Sequence, residues 1–131
     1  MNFKSQICTT KEQSERLLAL GLRKETADMG WVKLLNGDGY TIAIAEDYSF
    51  IDIPAWSLSR LIEMIPFNPK DKNGYIYDFI IEDDNTISYY YFSEQSWYCI
   101  KYWGKDNLYD NFIDCIEWLI NQNYFTKEYL N

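Results

Sequence analysis

Residues 75–103 read YIYDFIIEDDNTISYYYFSEQSWYCIKYW, and the period of this stretch decides the fold. Its apolar and aromatic residues alternate, which is the pattern of extended strands with two distinct faces. Over residues 75–82, Tyr75, Tyr77, Phe79 and Ile81 share one face, and Ile76, Asp78, Ile80 and Glu82 share the other. Asp83-Asp84-Asn85 is the turn that follows. Over residues 86–92, Ile87, Tyr89 and Tyr91 stand opposite Ser88, Tyr90 and Phe92. Over residues 97–103, strict alternation groups Tyr98, Ile100 and Tyr102 on one side and Trp97, Cys99, Lys101 and Trp103 on the other. The spacing predicts an antiparallel meander of three strands, with one apolar face and one mixed face.

Upstream, Asn36-Gly37-Asp38-Gly39 separates strand-like runs at 31–35 and 40–45, a hairpin signal. A phosphate loop would need a lysine and a following helix, and NGDG has neither. Residues 46–49 read as a turn, and 50–53 as a short strand. The run IPAWSLSRLIEMIP at 53–66 places Leu58, Leu61, Ile62 and Ile65 at i, i+3, i+4 and i+7, one face of a helix. Pro54 suits its first turn, Ser57 is an alternative N-cap, and Pro66 ends it. Trp56 is expected in the core.

An N-terminal helix starts at Thr9 or Thr10, followed three residues later by Glu12 or Gln13 in capping-box spacing. It runs through ERLLAL to Gly21, and residues 24–29 form a polar connector. Ahead of it, residues 1–9 read as a lead-in with an edge strand around Phe3 and Ile7. The longest helix covers residues 107–121, with Leu108, Phe112, Ile113, Ile116, Leu119 and Ile120 in one stripe and Trp118 off it. Residues 68–74 are a loop, and 124–131 a peripheral tail. The order α-β-β-α-β-β-β-α, with grouped strands, predicts a single α+β domain over 1–131, its sheet mainly antiparallel and its helices on one face.

Composition narrows the chemistry. The 131 residues include no histidine, which removes Ser-His-Asp and Cys-His catalysis and histidine metal sites. Cys8, Cys99 and Cys115 are odd in number and lack metal-ligand spacing, so free thiols in a reducing cytoplasm are expected. No apolar run reaches the roughly 18–20 residues of a membrane span. A net charge of −8 argues against a nucleic-acid backbone binder. Glu82-Asp83-Asp84 resembles a hard-cation site but sits where a solvated turn belongs, and it lacks the calcium-loop pattern. No metal or other cofactor is expected.

The 12 Tyr, 7 Phe and 5 Trp reflect strand preference first. On the mixed face, however, Tyr90, Trp97 and Trp103 beside Asp78, Glu82 and Lys101 form a candidate partner- or ligand-binding surface. The reading is a non-enzymatic interaction module with a protein partner, compatible with a homo-dimer. The alternatives are a metal-assisted carboxylate enzyme using Asp78, Glu82 and Asp83, and a sugar or small-ligand binder on the aromatic face.

Three stretches carry a resemblance: TTKEQSERLLALGL at 9–22 with ETADM at 25–29, IPAWSLSRLIEMIP at 53–66, and CIEWLI at 115–120. In this order they resemble a family of small uncharacterised proteins carried by phages and mobile elements of gut bacteria. The resemblance implies an accessory protein expressed inside a bacterium; taken with the net charge of −8, that context sharpens the interaction reading to an acidic decoy or inhibitor of a host protein. It assigns no catalytic or binding residue.

Overall fold

A computed structural model describes residues 5–46 and 50–131. The expected turn at 46–49 and the Phe3 end of the lead-in fall largely outside these residues. Ile7 lies outside any strand, while Cys8 makes an isolated bridge to Ser57. The described elements are α1 (Lys11–Ala19), β1 (Met29–Lys33), β2 (Tyr40–Ile44), β3 (Ile53–Ala55), α2 (Leu58–Met64), β4 (Asp78–Ile81), β5 (Ile87–Ser93), β6 (Ser96–Trp103) and α3 (Leu108–Asn121). The protein is α+β, with two antiparallel sheets of three strands each. These belong to two compact units: the described residues up to Met64 together with Lys127–Asn131, and Ile65–Thr126.

In the first unit the strand order is β2-β1-β3. The NGDG link closes the β1–β2 hairpin, with the Leu34 amide donating to the Gly39 carbonyl at 2.9 Å. Gly30 pairs with both Ala43 and Pro54 in the middle of this sheet. A Cβ there would collide with the Ile51 side chain, so glycine allows the approach.

Of the two expected starts for the first helix, Thr10 caps α1 in a full capping box with Gln13. Thr9 is buried instead: its amide donates to the Trp56 carbonyl at 2.9 Å, and its hydroxyl accepts the Trp56 amide at 3.0 Å. Gly21, at φ +103°, ends the helix as expected.

The stretch 53–66 departs from its expectation at one end. Pro54 lies in β3, an edge strand where its missing N–H costs no ladder bond, rather than in a first helical turn. The helix begins after Ser57, whose hydroxyl accepts the Arg60 amide at 3.2 Å, so the alternative cap is the one used. Ser57 is itself held by Asp28, whose carboxylate accepts both its amide and its hydroxyl. Leu61, Met64 and Ile65 are buried, and Trp56 is fully so.

In the second unit the order is β4-β5-β6, with α3 on one face. Phe112 packs on Phe79 with ring centroids 5.9 Å apart, and Trp118 packs on Tyr89 at 5.8 Å. The Tyr89 hydroxyl donates to the Pro66 carbonyl at 2.7 Å. The α3 stripe is placed as its period requires: Phe112, Ile113, Ile116 and Leu119 are fully buried. Asn111, also fully buried, ties the turn at Asn85 and the loop at Lys105 to this helix.

Candidate functional site

One residue reorders the mixed face. Tyr89 pairs with Lys101 but Tyr90 pairs with Cys99, so Ile100 is the extra residue of a β-bulge in β6. Because side chains alternate with period two, one inserted residue reverses every assignment beyond it. Trp103 and Lys101 pair with Ile87 and Tyr89 and so share the face covered by α3. Trp97 and Cys99 pair with Phe92 and Tyr90 and share the opposite face. Strict alternation had grouped all four together, and this is corrected: Trp103 is 8 % exposed and belongs to the core, in an edge-to-face contact with Trp118 at 5.6 Å. Lys101 is exposed but stands on the α3 side.

What remains together on the uncovered face is ordered in rungs. Asp78, Tyr90 and Cys99 form one; Ile80, Ser88 and Tyr102 form the next, with Ser88 buried between its neighbours; Phe92 and Trp97 form the outermost. Phe92 and Tyr102 belong to this surface although sequence reasoning did not select them. Phe92 was in view as a neighbour of Tyr90 by parity, whereas Tyr102 arrives only through the bulge. The rings of Phe92 and Trp97 lie 5.1 Å apart and are 55 % and 59 % exposed, and Tyr102 is 66 % exposed. Beyond them the chain turns at Glu94 and Gln95, which adopt φ of +51° and +64°. Two left-handed residues in succession match the favoured two-residue hairpin turn, yet neither is Gly or Asn, and each costs about 1–2 kcal/mol. The reverse side of the same tip carries Tyr91 stacked on Tyr98 at 5.1 Å, with Tyr75 against Tyr91 at 5.0 Å.

The polar members of the face are settled by local bonds. Asp78 accepts the Asn68 side-chain amide at 2.8 Å. Glu82 lies just past β4, where its amide donates to the Thr86 carbonyl at 2.8 Å to close the Asp83-Asp84-Asn85 turn. The Tyr90 phenol is held above its usual range by the Cys99 thiol beside it first, then by desolvation and the Glu82 carboxylate. It is a neutral hydroxyl at neutral pH. Burial, then the Asp28 carboxylate, pushes the Cys8 thiol to about 11, and burial, then the Asp114 carboxylate, raises the Cys115 thiol well above its ordinary range. Among the described residues no group of three or more Cys, Asp or Glu side chains is placed to hold a metal ion.

The most highly organised carboxylates serve turns. Asp71 Oδ1 accepts the amides of Asn73 at 2.9 Å and Tyr75 at 3.0 Å, and Oδ2 accepts the Tyr77 hydroxyl at 3.0 Å. Desolvation works to raise this carboxyl, but the combined hydrogen bonds hold it below the ordinary range. Asp84 is lowered by Thr86, through its hydroxyl and then its amide. A depressed carboxyl stabilises the fold above its unfolded value of about 3.9 and loses that contribution as pH falls through the folded value. Urea midpoints measured from about pH 6 to about pH 2.5 should therefore converge for wild type and Asp71→Asn on the acid side, with wild type the more stable near neutrality.

Lys101 and Trp103 do share a second location. With Asp114, Glu117, Trp118 and Asn121 they line a groove of about 320 Å³ between β6 and α3. Lys105 pairs with Asp114 across 2.9 Å at its margin. The off-stripe position of Trp118 in the helical period was the sequence signal for this groove. No protein-family model, curated protein or solved structure matches the chain.

Proposed function

We propose that the chain is a non-enzymatic protein-interaction module whose contact surface is the uncovered face of the β5–β6 hairpin. The observation that carries this reading is the cross-strand pair Phe92–Trp97, more than half exposed on both sides at a strained hairpin tip. Large aromatics clustered in contact with water are the residue types that dominate binding energy at protein interfaces. The resemblance noted in the sequence makes the partner a protein of a bacterial host, met in the cytoplasm, and the chain an accessory of a phage or mobile element. In the first unit the exposed acids Glu12, Asp38 and Glu63 sit on two separate helices and a hairpin turn, and in the second unit Asp83 and Glu94 sit on two separate turns. An aromatic contact therefore fits this chain better than mimicry of a phosphate backbone.

The test compares capture of host proteins by wild type with capture by Phe92→Ala and Trp97→Ala. Each variant removes a side chain outside the core, so its thermal midpoint should stay near wild type. Loss of a hot-spot aromatic costs about 2 kcal/mol or more, so capture should fall about thirtyfold. Equal capture by all three proteins, or no specific capture by wild type, sinks the reading. A second reading, a sugar or small polar ligand on the Trp118 groove, is favoured by the convergence of Asn121, Asp114 and Glu117 beside tryptophan. Glycan-dependent change in tryptophan fluorescence that survives Trp97→Ala would select it.

A further inference from the structure

The two edges of the β4-β5-β6 sheet are not equivalent. On the outer side of β4, the Phe79 amide donates to the Phe67 carbonyl at 3.0 Å and the Tyr77 amide to the Pro69 carbonyl at 2.9 Å, so that edge is already covered by the chain's own backbone. β4 is also only four residues long. β6 is twice that length at eight residues, and it is paired with β5 alone. Among the described residues no backbone hydrogen bond links it to any loop.

Natural edge strands are blunted by proline, by charges, by shortness, by coverage or by a bulge that twists the edge away. SWYCIKYW has no proline and a single charge, Lys101. Its bulge at Ile100 is one such device, but residues 96–99 and 101–103 on either side of it stay extended and, among the described residues, have no backbone partner other than β5. Five of its eight residues are Trp, Tyr or Ile.

We propose that β6 is a docking edge for β6 of a second copy of this chain, the two strands pairing antiparallel about a two-fold axis to make one six-stranded sheet. Three properties favour a second copy over another occupant. Within the β4-β5-β6 sheet one edge is open and the other covered, so pairing through β6 joins two such sheets and goes no further. The chain carries a net charge of −8, yet β6 contributes only one positive charge, so the strand is a place where two copies can approach without acid facing acid. Antiparallel pairing also runs the Lys101 end of each strand toward the Glu94 end of the other. Tyr98 and Tyr102 flank this edge and are 43 % and 66 % exposed, so pairing adds side-chain burial to the backbone bonds of the strand.

The proposal concerns the edge of β6 and stands whether or not Phe92 and Trp97 bind a host protein. Sedimentation of the full chain over micromolar concentrations should show a monomer–dimer equilibrium. Cys99→Lys places a like charge on both strands near the axis and should weaken the dimer at least tenfold, with an unchanged circular dichroism spectrum. Cys99 is the exposed thiol, Cys8 and Cys115 being buried, so a short bis-maleimide should join two wild-type chains and fail on Cys99→Ser. Phe92→Ala, on β5, should leave the dimer intact while reducing host-protein capture, which separates this proposal from the preceding one. A chain that stays monomeric at every concentration overturns the proposal, as does a dimer that Cys99→Lys leaves intact or that Cys99 cannot cross-link.

Discussion

Replacing Trp56 with alanine is expected to lower the unfolding free energy by about 3–5 kcal/mol, the range for deleting a large buried aromatic. The indole has no exposure, and it is among the largest fully buried side chains. Its ring nitrogen donates to the Thr26 hydroxyl at 2.9 Å, and that hydroxyl in turn donates to the Arg23 carbonyl at 2.7 Å. Its backbone is gripped by Thr9 through both amide and carbonyl. Alanine keeps the backbone bonds and loses the ring, so the cost reports packing around the indole. Phenylalanine keeps most of the volume and loses the N–H donor, and Thr26 retains its bond to Arg23, so Trp56→Phe should cost clearly less. Urea unfolding of the three proteins, followed by far-ultraviolet circular dichroism, orders them. A loss under about 1 kcal/mol for Trp56→Ala would mean that the first unit is not assembled around this residue.

Trp56 also shows where the sequence was informative and where it stopped. The i, i+3, i+4, i+7 pattern from Leu58 located the helix because burial of one face repeats with the helical period. The period carries no information about where a helix begins. Pro54 satisfies a first helical turn and an edge strand equally well, since both leave its missing amide unneeded. What decides between them is β1, twenty-odd residues earlier, whose Gly30 leaves room for Ile51 and pairs with Pro54. Thr9 and Thr10 pose the same problem. Both have capping-box spacing, and Thr10 takes the cap because Thr9 is consumed by Trp56, a partner that local sequence does not reveal.

The candidate surface was legible on two strands out of three. Parity placed Asp78 and Tyr90 correctly because β4 and β5 pair without interruption. It failed on β6 at a single residue. Ile100 is an ordinary strand residue, neither Gly nor Pro, and nothing in WYCIKYW distinguishes a bulged strand from a regular one. The consequence was large: Trp103 moved to the core, Lys101 to the α3 groove and Tyr102 to the uncovered face. The acidic cluster was read correctly as a turn. Local hydrogen bonds between a side chain and amides one or two residues away require only near neighbours, as Asp84 and Thr86 show.

Asn111→Leu is expected to cost about 2–4 kcal/mol although the two side chains are close in volume. Asn111 is fully buried near the start of α3. Its Oδ1 accepts the Lys105 amide at 2.8 Å, and its Nδ2 donates to the carbonyls of Lys105 and Asn85, both at 2.8 Å. Leucine leaves all three backbone groups without this partner while filling the space, so the loss measures unmet hydrogen bonds rather than a cavity. Asn111→Asp separates the two kinds of bond. Its carboxylate still accepts from Lys105, but it faces two carbonyls to which it no longer donates, and burial raises its titration above the ordinary carboxylate range. A group with a raised folded value is most favourable while protonated, so Asn111→Asp should be more damaging than leucine at neutral pH and should recover part of its deficit as pH falls toward about 4. Amide hydrogen exchange at Lys105 provides the local readout. Protection there should drop in Asn111→Leu, which removes the acceptor of the Lys105 amide, and persist in Asn111→Asp, whose carboxylate keeps it.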